Sequence, residues 1–118
     1  MNKMHETALA ENILTIAAAA LAPYRIERVN KLVVKAGFLA QIIPQALEFA
    51  FTTLSQGHIC QGAELVLEVE LIEAKCQNCA TVYQSKNLPL TCPVCDSNLA
   101  DIISGDEMYL DKIDFDEA

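Results

Sequence analysis

The sequence predicts an α/β fold in which two helices pack on a three-stranded sheet, with a small cysteine-held module inserted before the last strand. Three patterns carry that prediction: apolar residues at helical spacing in two segments, period-two alternation in three others, and a paired Cys-x-x-Cys motif. At 118 residues, 53% hydrophobic and 20% charged, the chain fills one modest core. These totals exclude a large multidomain enzyme, and the supply of Leu, Ile, Val and Phe excludes wholesale disorder.

Between Thr7 and Ala22, Leu9, Ile13, Ile16 or Ala17, and Ala20 recur at helical spacing, and Pro23 stops the helix. Its alanines favour the helix and permit close approach to a sheet. A first strand is expected over 26–36, where Leu32, Val34 and Ala36 face one way and Lys31, Val33 and Lys35 the other. Pro44 suits the first turn of a second helix whose core face is Leu47, Ala50, Phe51 and Leu54, with Gly57 at its C′ position. Leu65, Leu67, Val69 and Leu71 mark a second strand over 64–72. The last strand, near 107–115, carries Met108 and Leu110 on one parity but Ile113 and Phe115 on the other. An extra residue around Asp111 and Lys112, a β-bulge, reconciles them.

The formal charge is −8, and seven of the sixteen acids, with only Lys112 against them, lie after residue 100. Such a balance repels nucleic acid but not a metal cation or a basic protein surface. Pro23, Arg25 and Glu27 stop the longest apolar run well short of the ~18 residues that span a bilayer, so no membrane segment is expected. The N-terminus has neither a strongly basic start nor a convincing cleavage site, which makes the cytoplasm the expected compartment.

Four of the five cysteines stand in Cys76-Gln77-Asn78-Cys79 and Cys92-Pro93-Val94-Cys95, with twelve residues between the pairs. Two intervening residues let one tight turn aim both sulfurs at a point, and two such turns can converge on one tetrahedral ion. A segment of about thirty residues buries too little apolar surface to stand alone, so a covalent or metallic tie is required. A reducing compartment and the duplicated spacing favour structural zinc over two disulfides, so the module reads as a zinc ribbon. Four thiolates also suit iron, as in rubredoxin; a red protein would signal it. The expected division is 1–73 with 105–118 as one domain and 74–104 as the ribbon. Cys60 has no local partner and reads as a small buried hydrophobe, although His58 is close in sequence.

Met4-His5-Glu6 places an imidazole and a carboxylate immediately before a helix, which alone reads as a solvated helix start. Its context is Leu9-Ala10-Glu11, Ile26-Glu27-Arg28-Val29, Pro44-x-Ala-Leu-x-Phe-Ala-Phe51, Gly62-Ala63-Glu64-Leu65, the paired cysteines and Ser104-Gly105-Asp106-Glu107-Met108. In this order the motifs resemble the HypA/HybF nickel-insertion accessory proteins over nearly the whole chain. The resemblance implies a cytosolic metallochaperone, without catalytic activity, that accepts Ni(II) and passes it to the large subunit of [NiFe] hydrogenase or to the urease system. The GTPase HypB is its implied partner, and it would act as a monomer or homodimer. It further implies nickel binding at His5 beside Glu6, and zinc binding at Cys76, Cys79, Cys92 and Cys95. An imidazole with deprotonated backbone amides suits square-planar Ni(II) without a buried cage, and such an open site permits release.

Three departures from the family pattern stand out. Met1-Asn2-Lys3 precede the Met-His-Glu, so their retention predicts altered nickel coordination. Ala36-Gly37-Phe38-Leu39 replaces an acidic pair after the first strand, so no ligand is expected from that loop. Ala80 and Asp96 stand where glycine commonly follows each cysteine turn; a left-handed backbone at Ala80 costs on the order of 1 kcal/mol. The alternative to a nickel carrier is a zinc-ribbon interaction or regulatory module, which expects no nickel site dependent on His5.

Overall fold

The computed structural model describes residues 6–118. Helix α1 (Glu6–Leu21) is followed by strand β1 (Ile26–Gly37), a short 3-10 turn (Phe38–Ala40) and helix α2 (Pro44–Leu54). Strands β2 (Glu64–Glu70), β3 (Ile72–Cys76), β4 (Val82–Ser85), β5 (Ala100–Ser104) and β6 (Met108–Glu117) complete the chain. They form two sheets, ordered β2-β1-β6 and β4-β3-β5. In the first, β2 runs parallel to β1 and β6 antiparallel to it; both pairings in the second are antiparallel.

Both helices cover one face of the first sheet. Leu9, Ala10, Ile13, Leu14, Ala17 and Leu21 of α1 join Leu47, Ala50 and Phe51 of α2, and Val29, Leu32, Val34 and Leu65 of the sheet, in one core. The stripe on α1 runs through Ala17; Ile16 is exposed. Pro44 opens α2 at a position whose amide lacks an intrahelical acceptor in any case. Gly57, in the left-handed region at φ 78°, falls two residues past the C-cap Ser55, one later than expected. Each fully buried Leu or Ile contributes roughly 1.5–3 kcal/mol of transfer free energy, which makes this layer the main source of stability.

The expected bulge in the last strand is present. Val33 faces Lys112 and Val34 faces Leu110, so Asp111 is the extra residue, and Met108, Leu110, Ile113 and Phe115 all pack on the core. Strand β1 contains two more irregularities, which skip Glu27 and Asn30. The second brings both Val29 and Leu32, an odd number of residues apart, to the helix side. The opposite face is open and charge-laddered. Lys31 lies between Glu64 and Asp114, and Lys35 sits beside Glu68 with its Nζ 3.8 Å from Asp111. Opposite charges on adjacent strands are favourable neighbours.

One strand expectation is corrected. The alternation through 64–72 is not a single strand: β2 ends at Glu70, Leu71 turns the chain, and Ile72 starts the second sheet. The helix layer covers only the first part of β2, so Leu65 is buried whereas Val69 and Leu71 are exposed. At this seam, the β-carbon of any other residue at Gly37 would overlap the carbonyl group of Gly105. One at Gly105 would lie 2.7 Å from Ile72 Cα. The Gly37 amide donates to Glu107 O at 2.7 Å, and the Leu39 amide to Gly105 O at 2.9 Å, which clasps the two sheets together.

Candidate metal centre

The second sheet has a core of four buried residues, Ala74, Cys76, Tyr83 and Cys92, flanked by Leu90, Cys95 and Ala100. Two of the four are cysteines, so the apolar contribution is small. Cys76 ends β3, Cys79 lies in the turn that follows, and Cys92 and Cys95 belong to the loop between β4 and β5.

Both cysteine turns are built alike. The Cys76 and Cys92 amides donate to Thr81 O and Ser97 O at 2.9 Å. The Ala80 and Asp96 amides donate back to Cys76 O and Cys92 O at 3.0 Å. Closing each loop requires a left-handed residue, and Ala80 (φ 63°) and Asp96 (φ 62°) supply it, as the departure from glycine anticipated. Each turn also points an amide at its first sulfur: Asn78 N to Cys76 Sγ and Val94 N to Cys92 Sγ, both at 3.4 Å.

All four sulfurs lie within 4.8 Å of one another. Cys76 and Cys95 are separated by 3.5 Å, Cys79 and Cys92 by 3.6 Å. Four sulfurs about 2.3 Å from a central ion form a tetrahedron with edges of about 3.8 Å, so the cluster has the dimensions of a tetrathiolate metal site. No pair is bonded as a disulfide. The sulfurs differ electrostatically. Hydrogen bonds from the Thr81 hydroxyl and amide lower the Cys79 pKa to about 6, which favours thiolate. Burial pushes Cys92 up to about 11. The Asn78 side-chain amide donates to Cys95 Sγ at 3.4 Å. Asn78 and Thr81 were not singled out in the sequence; their signal is a polar residue inside or just after a Cys-x-x-Cys turn.

The other residues singled out are placed differently. His5 lies outside the described residues. Glu6 begins α1, and its Oε2 accepts the amide of Ile43, the N-cap of α2, at 3.1 Å. That contact ties the start of the first helix to the start of the second. Cys60 is fully buried in the main core. His58 Nδ1 accepts the Cys60 amide at 3.0 Å, so this imidazole nitrogen serves the backbone, not the thiol. Among the described residues no helix is long and apolar enough to cross a membrane.

A helix-covered sheet joined to a ribbon with four convergent cysteines is the architecture of a small protein with a metal-binding module. The family model described as "HypA: Hydrogenase/urease nickel incorporation, metallochaperone, hypA" matches residues 4–115, and the chain belongs to that family. Its members are metallochaperones and not enzymes. The chain is 33% identical over 113 residues to the hydrogenase maturation factor HypA of Aquifex aeolicus, covering 96% of this chain and 98% of that one. It is 32% identical over 114 residues to the factor of the same name from Desulfitobacterium hafniense, covering 97% and 100%. Its fold matches the solution structure of the Ni metallochaperone HypA from Helicobacter pylori with a TM-score of 0.69 at 23% identity, over 95% of this chain and 97% of that chain.

Proposed function

We propose that this chain binds Ni(II) at its N-terminal His5-Glu6 and delivers it to maturing [NiFe] hydrogenase or urease, in cooperation with the GTPase HypB. Cys76, Cys79, Cys92 and Cys95 hold a structural zinc ion. The nickel-binding unit is 1–73 with 105–118, and the zinc unit is 74–104. The observation that carries this reading is the family match, which begins one residue before His5 and spans all four cysteines.

The donor sets support a division of labour. Four thiolates close the coordination sphere of zinc and leave no position for exchange, which suits a structural ion. A carrier must release its cargo. An imidazole with backbone amides offers Ni(II) the nitrogen donors it favours in an open, exchangeable site.

Calorimetric titration of zinc-loaded protein with Ni(II) tests the proposal. His5→Ala is expected to abolish the nickel isotherm while zinc content and the circular dichroism spectrum stay unchanged. An undiminished isotherm, or nickel entering only in exchange for zinc, would overturn it.

A further inference from the structure

Strand β2 is an outer strand of the first sheet. Strand β1 lies on one side of it, and among the described residues no backbone group outside the sheet bonds to residues 64–70 on the other. The remaining outer strands are irregular or short: β6 carries the Asp111 bulge, β5 an extra residue at Ile103, and β4 has only four residues. Strand β2 pairs with β1 over its whole length without a register shift. Its free row of amides and carbonyls is therefore regular, the form that accepts a further strand.

The two faces of β2 define what that strand must carry. On the helix side Leu65 is buried and Leu67 partly so, but the helix layer stops short of Val69, which is 58% exposed. Leu67 and Val69, with Ala36, Phe38 and Ile42, line an apolar groove of about 210 Å³. On the open side stand Glu64, Val66, Glu68 and Glu70, and among the described residues none of the three carboxylates is in an ion pair. Antiparallel pairing of β2 with its counterpart in a second copy, centred on Leu67, would set Glu64 against Glu70, so like charges oppose self-association. We propose that the free edge of β2 takes an extended segment of a partner protein in which aliphatic residues alternate with Lys or Arg. The segment's backbone continues the ladder, an aliphatic residue enters the groove beside Val69, and its cations stand next to Glu64, Glu68 and Glu70. The same acids that repel a second copy select this partner.

Titrating the 15N-labelled, zinc-loaded full chain with an acetylated, amidated peptide of alternating Lys and Val tests the proposal. Saturable amide shifts confined to β2 and the groove are expected, with nuclear Overhauser contacts between the peptide backbone and that of β2. A peptide of the same residues in block order, all Val and then all Lys, is expected to bind at least tenfold more weakly. Replacing both Glu68→Lys and Glu70→Lys is expected to weaken the alternating peptide at least tenfold; should that variant not fold, the comparison of the two peptides on the wild type decides. Equal affinity for the block peptide, or shifts spread over the acidic surface without Overhauser contacts, would reduce the effect to unspecific charge attraction and overturn the proposal. Shifts at β2 on dilution of the protein alone, or on removal of residues 1–5, in place of shifts with the peptide, would assign the edge to a second copy or to the chain's own start and overturn it as well.

Discussion

Ala80 holds a β-carbon in the left-handed region, where an L-residue pays about 1–2 kcal/mol. Asp96, in the equivalent place, tolerates that conformation better because its short polar side chain can bond locally. Ala80→Gly is therefore expected to stabilise the ribbon by about 0.5–1 kcal/mol, the relief of strain being partly offset by the freer unfolded chain. Competition with a chromophoric chelator should read this as modestly tighter zinc retention. Cys60 gives a pH-dependent counterpart. Burial raises its pKa from the ordinary thiol value, so the folded protein keeps a proton that the unfolded chain gives up as the solution turns alkaline. Its contribution is fully present below the ordinary value and fades as pH rises toward the folded one. Denaturant titrations across alkaline pH should show a shallower decline in Cys60→Ala than in the wild type. At this scale the convergence of the four cysteines was legible, because two-residue spacing lets each turn aim both its sulfurs at one point. The Asn78 contact was not, because its partner Cys95 is brought near by tertiary structure; the Thr81 and His58 contacts reach only two residues along the chain but depend on turn geometry and rotamer, which residue spacing does not report.

Gly37 has an ordinary φ of −67°, so its need for glycine comes from contact, not from conformation. Gly37→Ala forces a methyl group into the Gly105 carbonyl and should cost about 2 kcal/mol or more as an overpacked, backbone-limited site. Thermal unfolding followed at tyrosine and at the amide backbone would show both transitions shifted downward. The strand pattern explains what could be read of these elements. Alternation in β2 and β6 located both strands, and the change of parity between Leu110 and Ile113 located the bulge. The two irregularities in β1 escaped because charged residues surround them and leave no break in an apolar series. Leu71 escaped for the opposite reason: it continues the alternation while the backbone changes sheets, and parity cannot report which sheet a residue joins.

The molecule measures 56 × 24 × 17 Å with a radius of gyration of 17.5 Å. A compact chain of this length would have a radius of about 13–14 Å, so the two cores stand end to end and do not merge. They differ in what sustains them. Among the described residues the main core has fourteen buried members, whereas the ribbon has four, two of them cysteines. Stripping metal with a strong chelator should abolish amide-exchange protection in β3, β4 and β5 while α1, α2 and β1 keep theirs. Equal loss throughout would show that the ribbon supports the whole molecule. The two-helix, three-strand plan was legible from periodicity; the elongation was not, since it follows from how the seam is tied. The ribbon leaves from β2 and returns to β6, which flank β1 on opposite sides, and both crossings lie beside Gly37 at one end of the sheet. Two crossings on opposite sides of the central strand, at Leu71 and Gly105, resist twisting of the ribbon about the long axis of the molecule better than a single tether would.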